Sequence, residues 1–185
     1  MMKKVYVYLA KGFEEVEAIT PIDMLRRAGA EVVTLAVGDS LEVEGAHGIT
    51  VKADALCDKT DVTDADMIVL PGGFPGYENL AASEKVDSDI KYMISKDKYV
   101  AAICGTPAAV LGPRGYLKNK RATCYPGMEE ELGCKRLHAG AVCVDGNMIT
   151  SKSAGTAMAF SIVLVRELLG DTAANKLQRA IVLDV

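Results

Sequence analysis

The stretch Val100-Ala101-Ala102-Ile103-Cys104-Gly105-Thr106-Pro107-Ala108-Ala109-Val110-Leu111 decides how the chain is read. Tyr99 to Ile103 is a short apolar run behind a charged segment, which reads as a buried strand of a parallel sheet. Thr106-Pro107 then reads as a helix start: a Thr side chain caps free backbone N–H groups, and Pro at the first helical position gives up no hydrogen bond. Cys104 falls in the corner between strand and helix, where Gly105 permits a sharp turn and leaves its N–H uncovered. A thiol held there feels the positive end of the peptide dipoles, which favours thiolate, the reactive form. A small buried hydrophobe is the other reading of a lone cysteine, and the corner placement favours the functional one.

Outward from this corner the pattern alternates. Val5 to Leu9 is a β-branched and aromatic run closed by Gly12, and the spacing of Val16, Ile19, Ile22 and Leu25 predicts a helix over Glu14 to Ala28 stopped by Gly29, with a kink or brief break at Pro21. Glu31 to Val37 is the next strand, and Leu41 to Val51 holds shorter extended pieces. Asp66 to Leu70 is a buried strand that runs into Pro71-Gly72-Gly73-Phe74-Pro75-Gly76, a loop too rich in Gly and Pro for regular structure. A helix is predicted over Leu80 to Ser95 and a short strand over Ala122 to Cys124. Ala141–Val144 and Met148–Ser151 read as a hairpin around Asp145-Gly146-Asn147, followed by helices over Gly155–Leu169 and Asp171–Gln178. Strands alternating with helices predict one α/β domain over residues 1–185, with a mostly parallel sheet covered on both faces. Sites in such sheets collect beyond the carboxyl ends of the strands, so the loops after Leu9 and Leu70 should meet the Cys104 corner.

Composition narrows the partners. The chain has 185 residues, half of them hydrophobic and a quarter charged, with a net charge of −4. The basic clusters Arg26-Arg27, Lys118-Asn119-Lys120-Arg121 and Lys135-Arg136 are short and scattered, which argues against a nucleic-acid partner. No apolar stretch approaches membrane-spanning length, and the six-residue run after Lys3-Lys4 reads as a first strand instead of a signal segment. Five cysteines without a framework of spacings fit a reducing cytoplasm.

A working Cys104 needs a group that tunes or receives its proton and donors for the charge of an attacked carbonyl. Gly72-Gly73 offers accessible N–H groups, though a glycine pair also suits a plain turn and fits neither common nucleotide-binding pattern. Glu14-Glu15-x-Glu17 opens the first helix, where carboxylates are favoured in any case, and the residues alone do not choose among the three. Cys124, Cys134, His138 and Cys143 match no usual zinc spacing, so no metal is expected. A Cys-His-Asp triad has only His47 and His138 to draw on, neither in a segment that the residues place beside Cys104.

The blocks Leu9-Ala10-Lys11-Gly12-x-Glu14-Glu15-x-Glu17, Pro21-x-Asp23-x-x-Arg26-Arg27-Ala28-Gly29, Val69-Leu70-Pro71-Gly72-Gly73, Ala101-Ala102-Ile103-Cys104 and Thr150-Ser151-x-x-x-Gly155-Thr156 fall in order over nearly the whole chain. Together they resemble the ThiJ/PfpI superfamily, and within it the DJ-one-like branch. The resemblance implies a flavodoxin-like α/β sandwich, a homodimer, and a reactive cysteine in a strained turn. It implies that Cys104 is nucleophilic and oxidisable, that Glu17 is the carboxylic acid bonded to it, and that the N–H groups of Gly73 and Gly105 line the oxyanion site. It further implies a cofactor-independent attack on a small carbonyl substrate, a 2-oxoaldehyde such as methylglyoxal, or on a glycated protein. The alternative is an oxidative-stress sensor or chaperone-like protein switched by oxidation of Cys104 to sulfinate. The chain departs from the pattern in places: Tyr125 stands where the branch commonly has a His beside the cysteine, His47 where it often has an Arg near the pocket, Lys152 where it has another, and Gly105-Thr106-Pro107 where Ala-Gly-Pro is usual.

Overall fold

The computed structural model describes residues 2–183. Its seven-stranded sheet contains β1 (Lys4–Ala10), β2 (Glu31–Val37), β5 (Ala55–Leu56), β6 (Met67–Leu70), β7 (Tyr99–Ile103), β10 (Val142–Asp145) and β11 (Met148–Ser151), in the order β10-β11-β7-β6-β1-β2-β5. All neighbours pair in parallel except β10 and β11, the expected hairpin. A separate antiparallel pair, β3 (Glu42–Glu44) and β4 (Thr50–Lys52), accounts for the extended pieces near Leu41 to Val51.

The alternation of side chains along each strand divides the core in two. Val5, Val7 and Leu9 of β1, with Val69 of β6 and Ile103 of β7, pack on α1 (Glu15–Arg27), α4 (Ala157–Leu169) and α5 (Asp171–Ala180). Tyr6, Tyr8 and Ala10, with Ile68, Leu70 and Ala102, face α2 (Gly76–Ala82) and α3 (Glu84–Ser95). Central strands buried on both faces explain why their sequences read as unbroken apolar runs. Each large side chain so buried contributes about 1.5–3 kcal/mol. The result is a flavodoxin-like three-layer α/β sandwich.

Four local expectations are corrected. α1 runs unbroken through Pro21, because Ala18, Ile22 and Leu25 bury its inner face and offset the one lost backbone bond. The helix expected over Leu80 to Ser95 is two helices, divided at Ser83, whose hydroxyl accepts from Val86 N at 3.2 Å and caps α3. The strand expected at Ala122 to Cys124 shrinks to β8 (Arg121–Ala122), paired outside the main sheet with β9 (Arg136–Leu137). Thr123 N is diverted to Thr150 Oγ1 at 3.0 Å, and Tyr125 N reaches Cys104 O at 2.7 Å. Lastly, Thr106 caps nothing. Its hydroxyl donates to Pro71 O at 2.6 Å, and the chain after Cys104 forms a single π-helical turn, Pro107–Leu111, closed by Gly112 N to Pro107 O at 2.9 Å.

Candidate active site

Three loops at the carboxyl ends of β1, β6 and β7 are tied to one another by hydrogen bonds. Glu14 N donates to Gly72 O at 2.8 Å and Gly76 N to Gly12 O at 3.2 Å, joining the first loop to the second. The Thr106 hydroxyl joins the second to the third. Gly73 has φ +94°, and a Cβ there would run into the backbone of Gly12 to Glu14, so only glycine permits so close a junction.

Cys104 itself adopts φ +69°, a left-handed conformation that costs a non-glycine residue roughly 1–2 kcal/mol. Both of its flanks hold it there: Cys104 N donates to Ser151 O at 3.0 Å and Cys104 O accepts from Tyr125 N. The turn lifts the side chain off the strand toward α1. There the phase of the helix, invisible among three neighbouring glutamates, singles out Glu17. Glu14 is the residue before the first turn, Glu15 turns to the Gly45–Ile49 loop, and Glu17 is fully buried beneath the sulfur.

Glu17 Oε2 accepts the Gly72 N–H at 2.9 Å, and its Oε1 is the one buried side-chain oxygen among the described residues with no hydrogen-bond partner. An ionised carboxylate so enclosed is poorly solvated, and burial pushes the Glu17 pKa up to about 7. At neutrality it is therefore available as a protonated donor, which supplies the missing role for the second oxygen. Burial, followed by the Glu17 charge and hydrogen bond, pushes the Cys104 thiol up to about 12, while the N–H groups of Gly105 and Gly73 pull the other way. This corrects the expectation of a thiolate favoured by a helix end: five residues of π-turn offer little dipole, and burial dominates. The two groups are close enough for the Glu17 charge to disfavour thiolate at Cys104, so the protonation of each bears on the other. Gly72 is required by the same contact, because a Cβ there would clash with Cys104 Cβ and fall 2.6 Å from Glu17 Oε2.

Above the pair opens a cavity of about 640 Å³. Glu17, Gly73, Cys104, Gly105, Tyr125 and His47 all line it, so the candidate residues spread over the chain converge on one space. Gly72 stands behind it as donor to Glu17. Contrary to the residue-level reading, His47 thus does lie near Cys104, brought in by the turn between β3 and β4. Its Nδ1, however, is committed to Glu15 Oε2 at 2.9 Å, with Glu14 Oε2 at 3.4 Å, and it is no partner of the sulfur. Glu15 raises the His47 pKa and His47 lowers that of Glu15 against the effect of burial. Glu14, Glu15 and His47 are also the one set of three metal-ligating side chains among the described residues whose ligand atoms lie within 4.8 Å of one another, and their ion pairing accounts for that proximity. Cys124, Cys134, His138 and Cys143 form no such group among those residues, and all five cysteines are unpaired. The sequence reading did not single out Tyr77, Phe74 or Met128, which also line the cavity; aromatic residues in and just after the Gly-Pro loop were the available signal.

The model of the DJ-1/PfpI family matches residues 3–167. The chain belongs to the DJ-1/PfpI family. The DJ-1 homologue A of Arabidopsis thaliana is 41% identical over 177 residues, which cover 96% of this chain and 45% of that protein, so the chain spans less than half the length of this relative. A Pyrococcus horikoshii relative named a deglycase is 35% identical over 155 residues, covering 80% of this chain and 89% of its own. Among solved structures, an oxidised DJ-1 of Toxoplasma gondii superposes with a TM-score of 0.93 at 36% identity, covering 97% of this chain and 98% of that one. No helix among the described residues is long and apolar enough to cross a membrane.

Proposed function

We propose that the protein is a cysteine-dependent enzyme of the DJ-1/PfpI family that converts reactive 2-oxoaldehydes, free or as protein adducts, into 2-hydroxy acids. The observation that carries this reading is the placement of fully buried Glu17 and partly buried Cys104 on one cavity that Gly73 and Gly105 also line.

In the proposed sequence, Cys104 gives its thiol proton to Glu17 as its Sγ forms a bond to the aldehyde carbon, and the carbonyl electron pair moves to its oxygen. That oxygen is held by Gly73 and Gly105 and takes the proton from Glu17. Glu17, now ionised, removes the hydrogen on the same carbon as the electron pair shifts toward the neighbouring carbonyl oxygen. Return of the proton to the second carbon, with transfer of the hydroxyl proton from the first oxygen to the second, leaves a thioester of a 2-hydroxy acid. The first carbon is oxidised and the second reduced, and water then cleaves the sulfur–carbon bond and restores the thiol. Water is the only co-reactant the atoms require. The deglycase name of the Pyrococcus relative supports the same class of chemistry on adducts.

The test is lactate formation from methylglyoxal by the wild type, Cys104→Ser and Glu17→Gln. Turnover is expected to vanish in Cys104→Ser and to fall at least a hundredfold in Glu17→Gln, within the usual contribution of a positioned acid–base group.

A second reading has its own support: the same N–H groups and the Glu17 proton suit the two oxygens of a sulfinate on Cys104, and a Toxoplasma relative is described in an oxidised form. With peroxide as oxidant, Cys104 oxidation would then be the signal. Full methylglyoxal turnover in Glu17→Gln, with ordinary oxidation of Cys104, would remove the proton relay and favour the sensor.

A further inference from the structure

The chain has only three Phe, seven Tyr and no Trp, yet Phe74, Tyr77 and Tyr125 all line the cavity over Cys104, with Met128 among them. Phe74 and Tyr125 are 64% and 47% exposed, unusual for aromatic rings that a protein has no need to leave in water. Phe74 and Tyr77 stand 6.0 Å apart between ring centroids with planes tilted by 54°, a favourable aromatic pairing that fixes one side of the space.

Tyr77 packs on Gly105, the residue next to Cys104. A Cβ built on Gly105 would meet the Tyr77 ring at 2.9 Å and Met128 Sδ at 3.2 Å, so ring and thioether close directly over the residue whose N–H faces the sulfur. The lining is mixed in character: Glu14, Glu17 and His47 are polar or charged, and Phe74, Tyr77, Tyr125 and Met128 supply aromatic and thioether surface around Cys104. A carbonyl carbon attacked by Cys104, its oxygen toward Gly73 and Gly105, leaves its remaining substituent to be placed. A methyl group would occupy a small part of about 640 Å³ and leave the rings wet, whereas a planar apolar group stacks on them and releases that water.

We infer that Tyr77 is a specificity-determining residue, and that the site takes 2-oxoaldehydes bearing an aromatic or similarly bulky apolar substituent in preference to methylglyoxal. The inference rests on the proposed 2-oxoaldehyde chemistry and adds its substrate class.

Phenylglyoxal and methylglyoxal are the probes, with kcat/KM measured for each in the wild type, Tyr77→Ala and Tyr77→Phe and with Cys104→Ser as the blank. The two aldehydes differ in intrinsic reactivity, so the quantity compared is the phenylglyoxal-to-methylglyoxal ratio between variants, from which that difference cancels. The ratio should favour phenylglyoxal in the wild type, fall about tenfold in Tyr77→Ala, and be retained in Tyr77→Phe, which keeps the ring and loses only the hydroxyl. Cys104-dependent turnover of both aldehydes with a ratio unmoved by Tyr77→Ala, or lost equally in Tyr77→Phe, overturns the inference and leaves the proposed function standing. Absence of Cys104-dependent turnover of either aldehyde overturns the proposed function and the inference with it.

Discussion

Glu17 and Gly72 make a single backbone-to-carboxylate bond of 2.9 Å, and through it the loop after β6 dictates how the buried acid meets Cys104. The bond occupies one carboxyl oxygen and leaves the other unpartnered, so the acid is held in place and still has a proton to exchange. Two groups coupled in this way titrate as a pair. The wild type should lose one proton near pH 7 and the second near pH 12, following the values to which burial drives Glu17 and Cys104. In Glu17→Gln the charge that raises the thiol is gone, and Cys104 should titrate in one step below 12. Thiolate absorbance in the ultraviolet, read against a Cys104→Ser blank, checks this; an unshifted high step in Glu17→Gln would show that the pair is not coupled.

The same acid makes stability depend on pH. Its folded value near 7 lies above the ordinary 4.5, so the folded protein binds this proton more tightly than the unfolded chain. The contribution is complete below about 4.5 and is lost as pH rises through about 7, and is on the order of 3 kcal/mol. Glu17→Gln removes the titration. Urea midpoints at pH 5 and pH 8 should therefore fall for the wild type and change less for Glu17→Gln, which becomes the more stable of the two at pH 8. Parallel curves for the two proteins would contradict this.

How far the sequence was legible follows from where each signal resides. Val5–Leu9, Met67–Leu70 and Tyr99–Ile103 announced themselves because a strand buried on both faces has no polar positions to confuse the pattern. The choice of Glu17 over Glu14 and Glu15 needed the phase of α1 against the sheet, and from the residues alone it came only with the family resemblance. Thr106 misled, since its hydroxyl found a tertiary partner, Pro71 O, that local capping logic does not contain. Ser83 did carry a legible cap, three residues before Val86, inside what had read as one helix. His47 and Tyr77 reach the cavity through loop geometry that spacing does not encode.

Three apolar side chains are left on the surface around α1. Val16 and Ile19, one turn apart on α1, are 48% and 40% exposed, and Ile49 is 57% exposed on the turn that Glu15 anchors through His47 N at 2.8 Å. We propose that these side chains meet a second copy of the chain, which would give the homodimer that the family resemblance implies. Light scattering at micromolar concentration should return a dimer mass for the wild type and a monomer mass for Ile49→Lys. A monomeric wild type would remove the proposal.

Oxidation separates Cys104 from its four companions. Cys57, Cys124 and Cys143 are buried, and burial raises all three thiols with no backbone N–H aimed at the sulfur to oppose it. Cys134 is partly exposed, and it does not line the cavity that Cys104 opens onto. Cys104 alone combines access from a cavity, a neighbouring acid that can take up the thiol proton, and the N–H groups of Gly73 and Gly105. Peroxide should therefore add oxygen first at Cys104 and stop at two atoms, because the sulfinate finds one donor in protonated Glu17 and others in the glycine N–H groups. Glu17→Asp draws the acid back by one methylene, so Cys104 should still oxidise while its product advances to sulfonate at lower peroxide. Intact-mass titration with peptide mapping reads both outcomes, and first oxidation at Cys134, or identical sulfinate persistence in Glu17→Asp, would refute the assignment of that stabilising role to Glu17.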